Sequence, residues 1–413
     1  MRCLVVSCVY PPELVVSAQT SEAVAAALSR RGDSVTVVAP FPSRNGASPR
    51  SAGRPRLFRR QTLDDGCELV RCYSFVSTKS DMLARLVENV TFGLTSAWVV
   101  LRAPRPDVIY ANTWPIFAAF LLLLAARVRS IPLVLSVQDV YPESLASQGR
   151  IKAEGALARG MRAIDDFVVR RCAATVLITP PFLEIYRTTR GHSPERLHVV
   201  PNWRDAKSVV VDEEGAARFR EKIGLPPRAL AFVCGGNIGP GAGVETLIEA
   251  FGRLRDDDRL YLVVAGEGSS LESCRAAAAG LDTVVFHHPW RKEETSAVLC
   301  AADVLLVPTV GRQSLVSAPS KLIGYLLAAR PVVALAFDKT YLAHMIEESG
   351  AGWTIEPDNP GLLAAKIREI AGLAAGERGR RGAAGREFAL KNLTTEACLP
   401  RLVAILDEAA RAG

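Results

Sequence analysis

Short runs of mostly apolar residues alternate along this chain with longer segments whose apolar positions recur every three or four residues. The runs at 3–10, 34–39, 68–71, 107–111, 133–137, 175–179 and 197–201 read as strands. They lack the in-out alternation of a half-exposed strand, as expected of strands covered on both faces of a parallel sheet. Segments 18–31, 82–102, 116–127 and 157–172 carry helical periodicity, and Gly32 closes the first of them. The pattern pauses from Pro201-Asn202-Trp203-Arg204-Asp205 through a polar stretch to Pro226-Pro227. It then starts again, with strands at 229–234, 260–265, 283–287, 304–307, 332–336 and 353–355 separated by helices. Such alternation predicts an α/β chain of two doubly wound, Rossmann-like domains facing across a cleft. The expected boundaries are 1–203, 204–375 and a C-terminal helical segment, 376–413, packing back on the first domain.

The stretch 302–336 organises the second half. Asp303 to Pro308 is a buried strand, a loop of small and polar residues follows, and Pro319-Ser320-Lys321 opens a helix that Arg330-Pro331 stops before the next strand. Ligands of open α/β sheets sit at the carboxyl ends of strands, so a phosphate-bearing ligand is expected near Ser320 and Lys321. Spacing alone fits equally well a lysine that only solvates a helix end. Two glycine turns end neighbouring strands, Gly235-Gly236-Asn237-Ile238-Gly239 and Gly266-Glu267-Gly268, and glycines allow backbone N–H groups to approach phosphate oxygens. Neither turn matches a dinucleotide-binding or P-loop pattern, and a tight strand-to-helix turn would look the same.

Composition narrows the picture. At 413 residues and 49% hydrophobic content the chain is globular and multidomain. Nine scattered cysteines, without a Cys-x-x-Cys pair or a histidine cluster at metal spacing, read as free thiols in a reducing compartment and no metal site. The chain opens directly on a strand, without a signal-peptide pattern, and its longest apolar stretch, 116–126, is too short to span a bilayer, so a cytoplasmic location is expected. The net charge of +7 is concentrated in a basic loop, 44–60, with Arg44, Arg50, Arg54, Arg56, Arg59 and Arg60 and no acid. That loop would suit an anionic membrane surface or be merely solvated; nucleic acid is disfavoured because only Phe58 is interleaved for stacking.

Taken in order, Tyr10-Pro11-Pro12, Val200-Pro201-Asn202, the two glycine turns, Ala302-Asp303-Val304 and Pro319-Ser320-Lys321-Leu322 resemble the family 4 glycosyltransferases of the GT-B fold. The resemblance covers nearly the whole chain and is strongest to the bacterial branch that builds surface polysaccharides such as O-antigen, capsule and exopolysaccharide. It implies a retaining transferase that takes a nucleotide-sugar, a UDP-sugar favoured, in the second domain and a lipid-linked glycan acceptor in the first. No cofactor and no metal are implied, and the enzyme would be peripheral at the inner membrane face. Carried over by residue, Gly235, Gly236, Asn237, Gly239 and Gly266 face the donor diphosphate, and Ser320, Lys321 and Leu322 lie around the nucleotide. Asp139, within the Gln-Asp-x-x-Pro-Glu run that starts at Gln138, is the candidate polar group beside the reacting sugar; its alternative is to cap the following turn. Tyr10, Glu13, Ser17 and Asn112 match the acceptor side, with Thr113 at the same rim.

Two departures stand out. The family's Glu-x7-Glu positions are Val316 and Gly324 here, and Pro240, Gly241 and Ala242 replace the basic residues that usually follow the glycine loop, leaving Arg312, Arg291 or Lys292 to supply charge. A second reading is therefore a binding or regulatory protein that kept the fold and lost turnover. A third, a sugar-nucleotide epimerase, needs acid and base side chains that His287-His288, without an evident acid partner, does not supply.

Overall fold

A computed structural model describes residues 1–13, 15–42, 56–76, 82–112, 115–147, 149–311 and 321–413. The chain divides into two compact units, Met1–Trp203 with Thr395–Gly413, and Arg204–Thr394. The N-terminal unit holds an eight-stranded sheet of β1 (Arg2–Ser7), β2 (Ser34–Pro40), β3 (Phe58–Thr62), β4 (Glu68–Cys72), β5 (Val108–Asn112), β6 (Leu133–Val137), β7 (Ala174–Leu177) and β8 (Leu197–Val199). Its order is β3-β4-β2-β1-β5-β6-β7-β8, parallel throughout except for β3, which pairs antiparallel with β4. Strands β1, β5 and β6 are buried over almost their whole length, which is why they read as continuous apolar runs.

The basic segment read as a loop ends in a strand. Phe58 to Thr62 is an exposed edge, and Arg60 pairs with Glu68 across it at 2.9 Å. An edge strand of arginines and polar residues has no apolar signal to read, and its charges discourage pairing with other chains. Arg44, Arg50 and Arg54 lie outside the described residues.

The C-terminal unit holds β9 (Leu230–Asn237), β10 (Leu260–Glu267), β11 (Val284–His287), β12 (Val304–Val307), β13 (Val332–Leu335) and β14 (Gly352–Ile355), all parallel in the order β11-β10-β9-β12-β13-β14. Helix Lys321–Leu327 is buried from Leu322 to Leu327. Helix Ala375–Asn392 presses on it through small residues: a methyl group added at Gly385 would lie 2.9 Å from Leu326, and one at Gly382 would lie 2.2 Å from the Ala329 carbonyl. The segment 376–413 is thus divided between the units. Ala375–Asn392 packs in the C-terminal unit, while helix Thr395–Ala412 packs in the N-terminal unit, where Arg31 grips Asp407 through two bonds of 2.7 and 2.8 Å. All nine cysteines are free thiols, and no described helix is long and apolar enough to cross a membrane.

Candidate active site

In both sheets the strand order reverses beside the first strand of the unit, between β1 and β5 and between β9 and β12. Connections leave the sheet in opposite directions at such a point and open a crevice outside the carboxyl ends. Each unit therefore offers one candidate site.

In the C-terminal unit the crevice is made by the glycine turns. Gly236 has φ +120° and Gly266 +141°, a region that favours glycine. A methyl group at Gly266 would sit 1.9 Å from the Gly236 carbonyl oxygen, so the two turns touch backbone to backbone. They are tied further by the Ile238 N–H donating to the Glu267 carbonyl at 2.8 Å and the Ser270 N–H to the Ile238 carbonyl at 2.9 Å. Gly235 is locked: the buried Tyr325 hydroxyl accepts from its N–H at 2.6 Å and donates to its carbonyl at 3.0 Å. Its open side is filled by Trp290, whose ring would lie 2.6 Å from an added methyl group. Gly235 is small for packing and does not present itself to a ligand.

Lys321 and Tyr325 share one face of their helix, i and i+4. The face is turned to the end of β9, so Lys321 Nζ stands 3.9 Å from where a Gly236 side chain would begin. Lys321 thus stands beside the Gly236 turn, and Asn237 is exposed in the same turn. Leu322 is 4% exposed and packs in the core, so its side chain anchors the helix and does not line the crevice. Ser320, Val316 and Arg312 lie outside the described residues. His287 also differs from the reading above, since its Nε2 lies 3.3 Å from Glu294, which Lys222 holds at 2.5 Å.

Arg204 was not foreseen. Its backbone N–H donates to the Leu393 carbonyl at 3.1 Å and it bridges to Thr394. One terminal guanidinium nitrogen lies 3.5 Å from where a Gly324 side chain would begin. Burial holds its pKa below the ordinary arginine range, and Nε is enclosed without a hydrogen-bond partner among the described residues.

In the N-terminal unit a recess of about 870 Å³ opens beside the ends of β1, β5 and β6. Asp139, Tyr141, Ser144 and Arg150 line one part, and Phe92, Ile116, Phe117, Leu145, Leu157 and Met161 another. The Asp139 side chain reaches water, yet the walls crowd its carboxyl and burial pushes its pKa up to about 6, against a Ser144 hydrogen bond that pulls the other way. Among the described residues no cation pairs with the Asp139 carboxyl. The acceptor-side residues behave otherwise. Asn112 is fully buried; its Nδ2 donates to Ser17 O at 2.9 Å, Thr20 Oγ1 at 3.2 Å and Ser21 Oγ at 2.8 Å, and its Oδ1 accepts from Gln138 at 3.0 Å. It is a strut tying β5 to helix Val16–Arg30, which corrects its reading as an acceptor contact. Ser17, Tyr10 and Glu13 are also buried, at 8%, 2% and 5% exposure. Burial likewise raises the Tyr10 pKa. Arg71 lies over the Tyr10 ring at 5.7 Å and donates to the Pro11 and Pro40 carbonyls. These residues build the loop; none presents a free side chain at the surface. Thr113 lies outside the described residues.

Comparison with known proteins is consistent with this geometry. Residues 17–203 match a glycosyl transferase 4-like domain and residues 229–372 match glycosyl transferases group 1. The chain is a GT-B glycosyltransferase. Glycosyltransferase WbjE of Pseudomonas aeruginosa is 26% identical over 72% of this chain and 75% of its own length. WcaI of Escherichia coli K12, named as a colanic acid biosynthesis glycosyl transferase, is 25% identical over 98% of this chain and 99% of its own. Anabaena HepE, crystallised with UDP, superposes with a TM-score of 0.72 at 15% identity over 99% of this chain and all of the other, a likeness of fold. The two matched regions of this glycosyltransferase fall one in each compact unit.

Proposed function

We propose that this enzyme is a retaining transferase that moves a sugar from a nucleotide diphosphate, a UDP-sugar favoured, to a lipid-linked glycan during surface-polysaccharide assembly, without a required metal. The observation that carries the donor assignment is the Lys321 ammonium poised 3.9 Å from the side-chain position of Gly236 at the switch point of the C-terminal unit. Departure of the nucleotide leaves an oxocarbenium-like sugar and a developing anion on the diphosphate. Backbone N–H groups and a fixed cation stabilise that anion by roughly several kcal/mol where water is excluded. UDP is supported by its presence with HepE, and polysaccharide assembly by the name of WcaI.

The acceptor reading rests on the N-terminal unit. Helix Met82–Arg102 exposes Leu83, Val87, Leu94, Trp98 and Leu101, with the Arg102 guanidinium 4.5 Å from the Trp98 ring centroid. Leu124 and Val128, of helix Ile116–Val128, are exposed as well. Apolar side chains edged by arginine suit the interface of an anionic membrane, where a lipid-linked acceptor is held and a peripheral enzyme would dock from the cytoplasmic side.

The test is transfer of labelled sugar from UDP-hexoses and UDP-N-acetylhexosamines into the organic phase of a bacterial lipid extract, with the anomeric configuration of the product read by NMR. The expected result is label in the lipid fraction with donor configuration retained, lost in Lys321→Ala. Label confined to the aqueous phase, or an inverted product, would overturn the reading.

A further inference from the structure

Arg190, in the N-terminal unit, belongs to no motif read from the sequence. It follows a single turn of π-helix, Ile185–Thr189, which continues helix Pro180–Glu184 and closes with the Arg190 N–H donating to the Ile185 carbonyl at 3.1 Å. Isolated turns of this kind recur at functional sites. Here the turn sets the Arg190 guanidinium 4.7 Å from the Tyr186 ring centroid and brings both side chains onto one oxygen of Asp165, each at 2.5 Å. One terminal nitrogen of Arg190 is thereby tied to helix Ala156–Val169. The other reaches the turn after β6, where it donates to the Tyr141 carbonyl and to Glu143, each at 2.5 Å. Arg162 approaches the same Glu143 carboxylate at 3.6 Å.

The turn that Arg190 grips is the one that carries Asp139. The Ser144 N–H donates to the Val140 carbonyl at 2.9 Å, and the Leu145 and Ala146 N–H groups donate to the Pro142 carbonyl at 3.0 Å. Ser144, next in the chain after Glu143, hydrogen-bonds the Asp139 carboxyl. Asp139 and Tyr141 both line the recess. Its other charged or titratable groups among the described residues are Cys8, Arg85, Glu88 and Arg150, and Arg85 is paired with Glu88 at 2.6 Å. Apolar packing often stabilises a fold as well as a buried ion cluster does, so such a cluster is best suited to fixing the place of the groups it ties. An arginine fork does this in two directions at once, which a single ammonium cannot.

We infer that Arg190 is a positioning residue for sugar transfer: anchored on Asp165, it holds the Tyr141–Ser144 turn and through it the place and the Ser144 hydrogen bond of the Asp139 carboxyl. The inference rests on the reading of Asp139 as the polar group beside the reacting sugar. Arg190 itself touches neither donor nor acceptor.

The experiment combines transfer kinetics with a carboxyl-carbon NMR titration of Asp139, its signal assigned by its absence in Asp139→Asn. The variants, all of the full chain, are Arg190→Lys, Glu143→Ala, Glu143→Gln and Val176→Ala. Arg190→Lys keeps the charge and loses the fork. Glu143→Ala and Glu143→Gln remove the same charge, but only glutamine keeps an acceptor for Arg190, so the difference between them reads the tie alone. Val176→Ala opens a cavity in the same unit, away from the cluster, and controls for lost stability. Loosening the Ser144 bond removes what lowers the Asp139 pKa and leaves the burial that raises it, so Asp139 in Arg190→Lys is expected to bind its proton at higher pH than in wild type. The same variant should lose roughly tenfold to a hundredfold in kcat, with donor KM changed by less than about twofold. Glu143→Ala should follow it in kcat, Glu143→Gln should stay near wild type, and Val176→Ala should lower Tm alone. An Asp139 titration and a kcat that stay at wild-type values in Arg190→Lys overturn the inference and leave the transferase reading standing, as does an equal loss of kcat in Val176→Ala at matched Tm. An acid limb of transfer that survives in Asp139→Asn overturns the role of Asp139 and the inference with it. A displaced Asp139 titration in Arg190→Lys, with no transfer from any UDP-sugar by wild type, supports the tie and overturns the proposed donor.

Discussion

Arg190 and Arg204 are both largely enclosed arginines, and they could hardly be treated more differently. Arg190, in the N-terminal unit, has a side chain only 1% exposed and spends its nitrogens on Asp165 at 2.5 Å, Glu143 at 2.5 Å, the Tyr141 carbonyl at 2.5 Å and Asp166 at 3.4 Å. Tyr186 adds a bond to Asp165 at 2.5 Å and His192 meets Asp166 at 2.9 Å. Arg204 has none of this among the described residues. The Nε of each arginine is enclosed without a hydrogen-bond partner among the described residues, so the contrast lies in the terminal nitrogens: those of Arg190 are tied to carboxylates and a carbonyl and hold the fold together, whereas no described carboxylate pairs with Arg204. The same contrast separates the carboxylates: Asp165 is answered by Arg190, and Asp139 by no cation among the described residues.

The sharpest way to break the contrast is Arg190→Ala. Removing one member of a buried ion cluster leaves its partners charged and unpaired, so a loss of about 3–5 kcal/mol is expected, read as a lower unfolding midpoint of the N-terminal unit in urea. An Arg190→Ala protein as stable as wild type would mean that the cluster is not what holds helix Ala156–Val169 to the turn at Tyr141 and Glu143.

Much of the scaffold behind this contrast is legible in the sequence, and the contrast itself is not. Strands such as β5, β6 and β12 announce themselves because both faces are buried. Lys321 is legible because a cation after a buried strand and a short loop has few places to point. Asn112 and Arg204 are illegible for the opposite reason. Whether a polar side chain is sealed in, as Asn112 is by Ser17, Thr20 and Ser21, depends on segments 91 to 95 residues away in sequence. Edge strand β3 was missed because its exposed FRRQT pattern carries no periodicity.

Gly266→Ala tests the contact between the two glycine turns beside Lys321. With φ at +141° and the Gly236 carbonyl 1.9 Å from the added methyl, the two turns must separate. Strain of this kind costs about 1–3 kcal/mol, so a lower Tm together with loss of nucleotide binding is expected. Retention of both would show that the glycine turns are not in register with Lys321.

Arg71 sharpens the contrast as an intermediate case, since it is 6% exposed and answered by carbonyls, with Glu13 and Tyr10 adding charge interactions. Arg71→Met keeps the length of the side chain and removes its donors. The Pro11 and Pro40 carbonyls then lose a donor and the buried Glu13 loses a nearby cation, for a cost of about 1–3 kcal/mol, smaller than for Arg190 because one buried carboxylate and not a cluster of them is affected. Equal losses in the two variants would erase the distinction between an arginine bonded mainly to carbonyls and one bonded to a cluster of carboxylates.

Asp139 carries the smallest effect on stability and the most direct one on chemistry. Its pKa in the folded chain is raised by burial to about 6, above the ordinary carboxylate value of 3.8. The folded state therefore holds the Asp139 proton more tightly than the unfolded state does between those values. Its favourable contribution is full below pH 3.8 and is lost as pH rises through about 6. Relative to Asp139→Asn, wild type should gain Tm as pH is lowered from 7 toward 4, and the difference should be flat above pH 7. If the carboxylate steadies the positive sugar, transfer should fall in wild type below about pH 6, where the proton is bound, and that limb should vanish in Asp139→Asn together with most of the rate. A rate limb that survives the substitution would move the reacting charge away from Asp139, and the recess in the N-terminal unit would then read as an acceptor pocket without a catalytic group of its own.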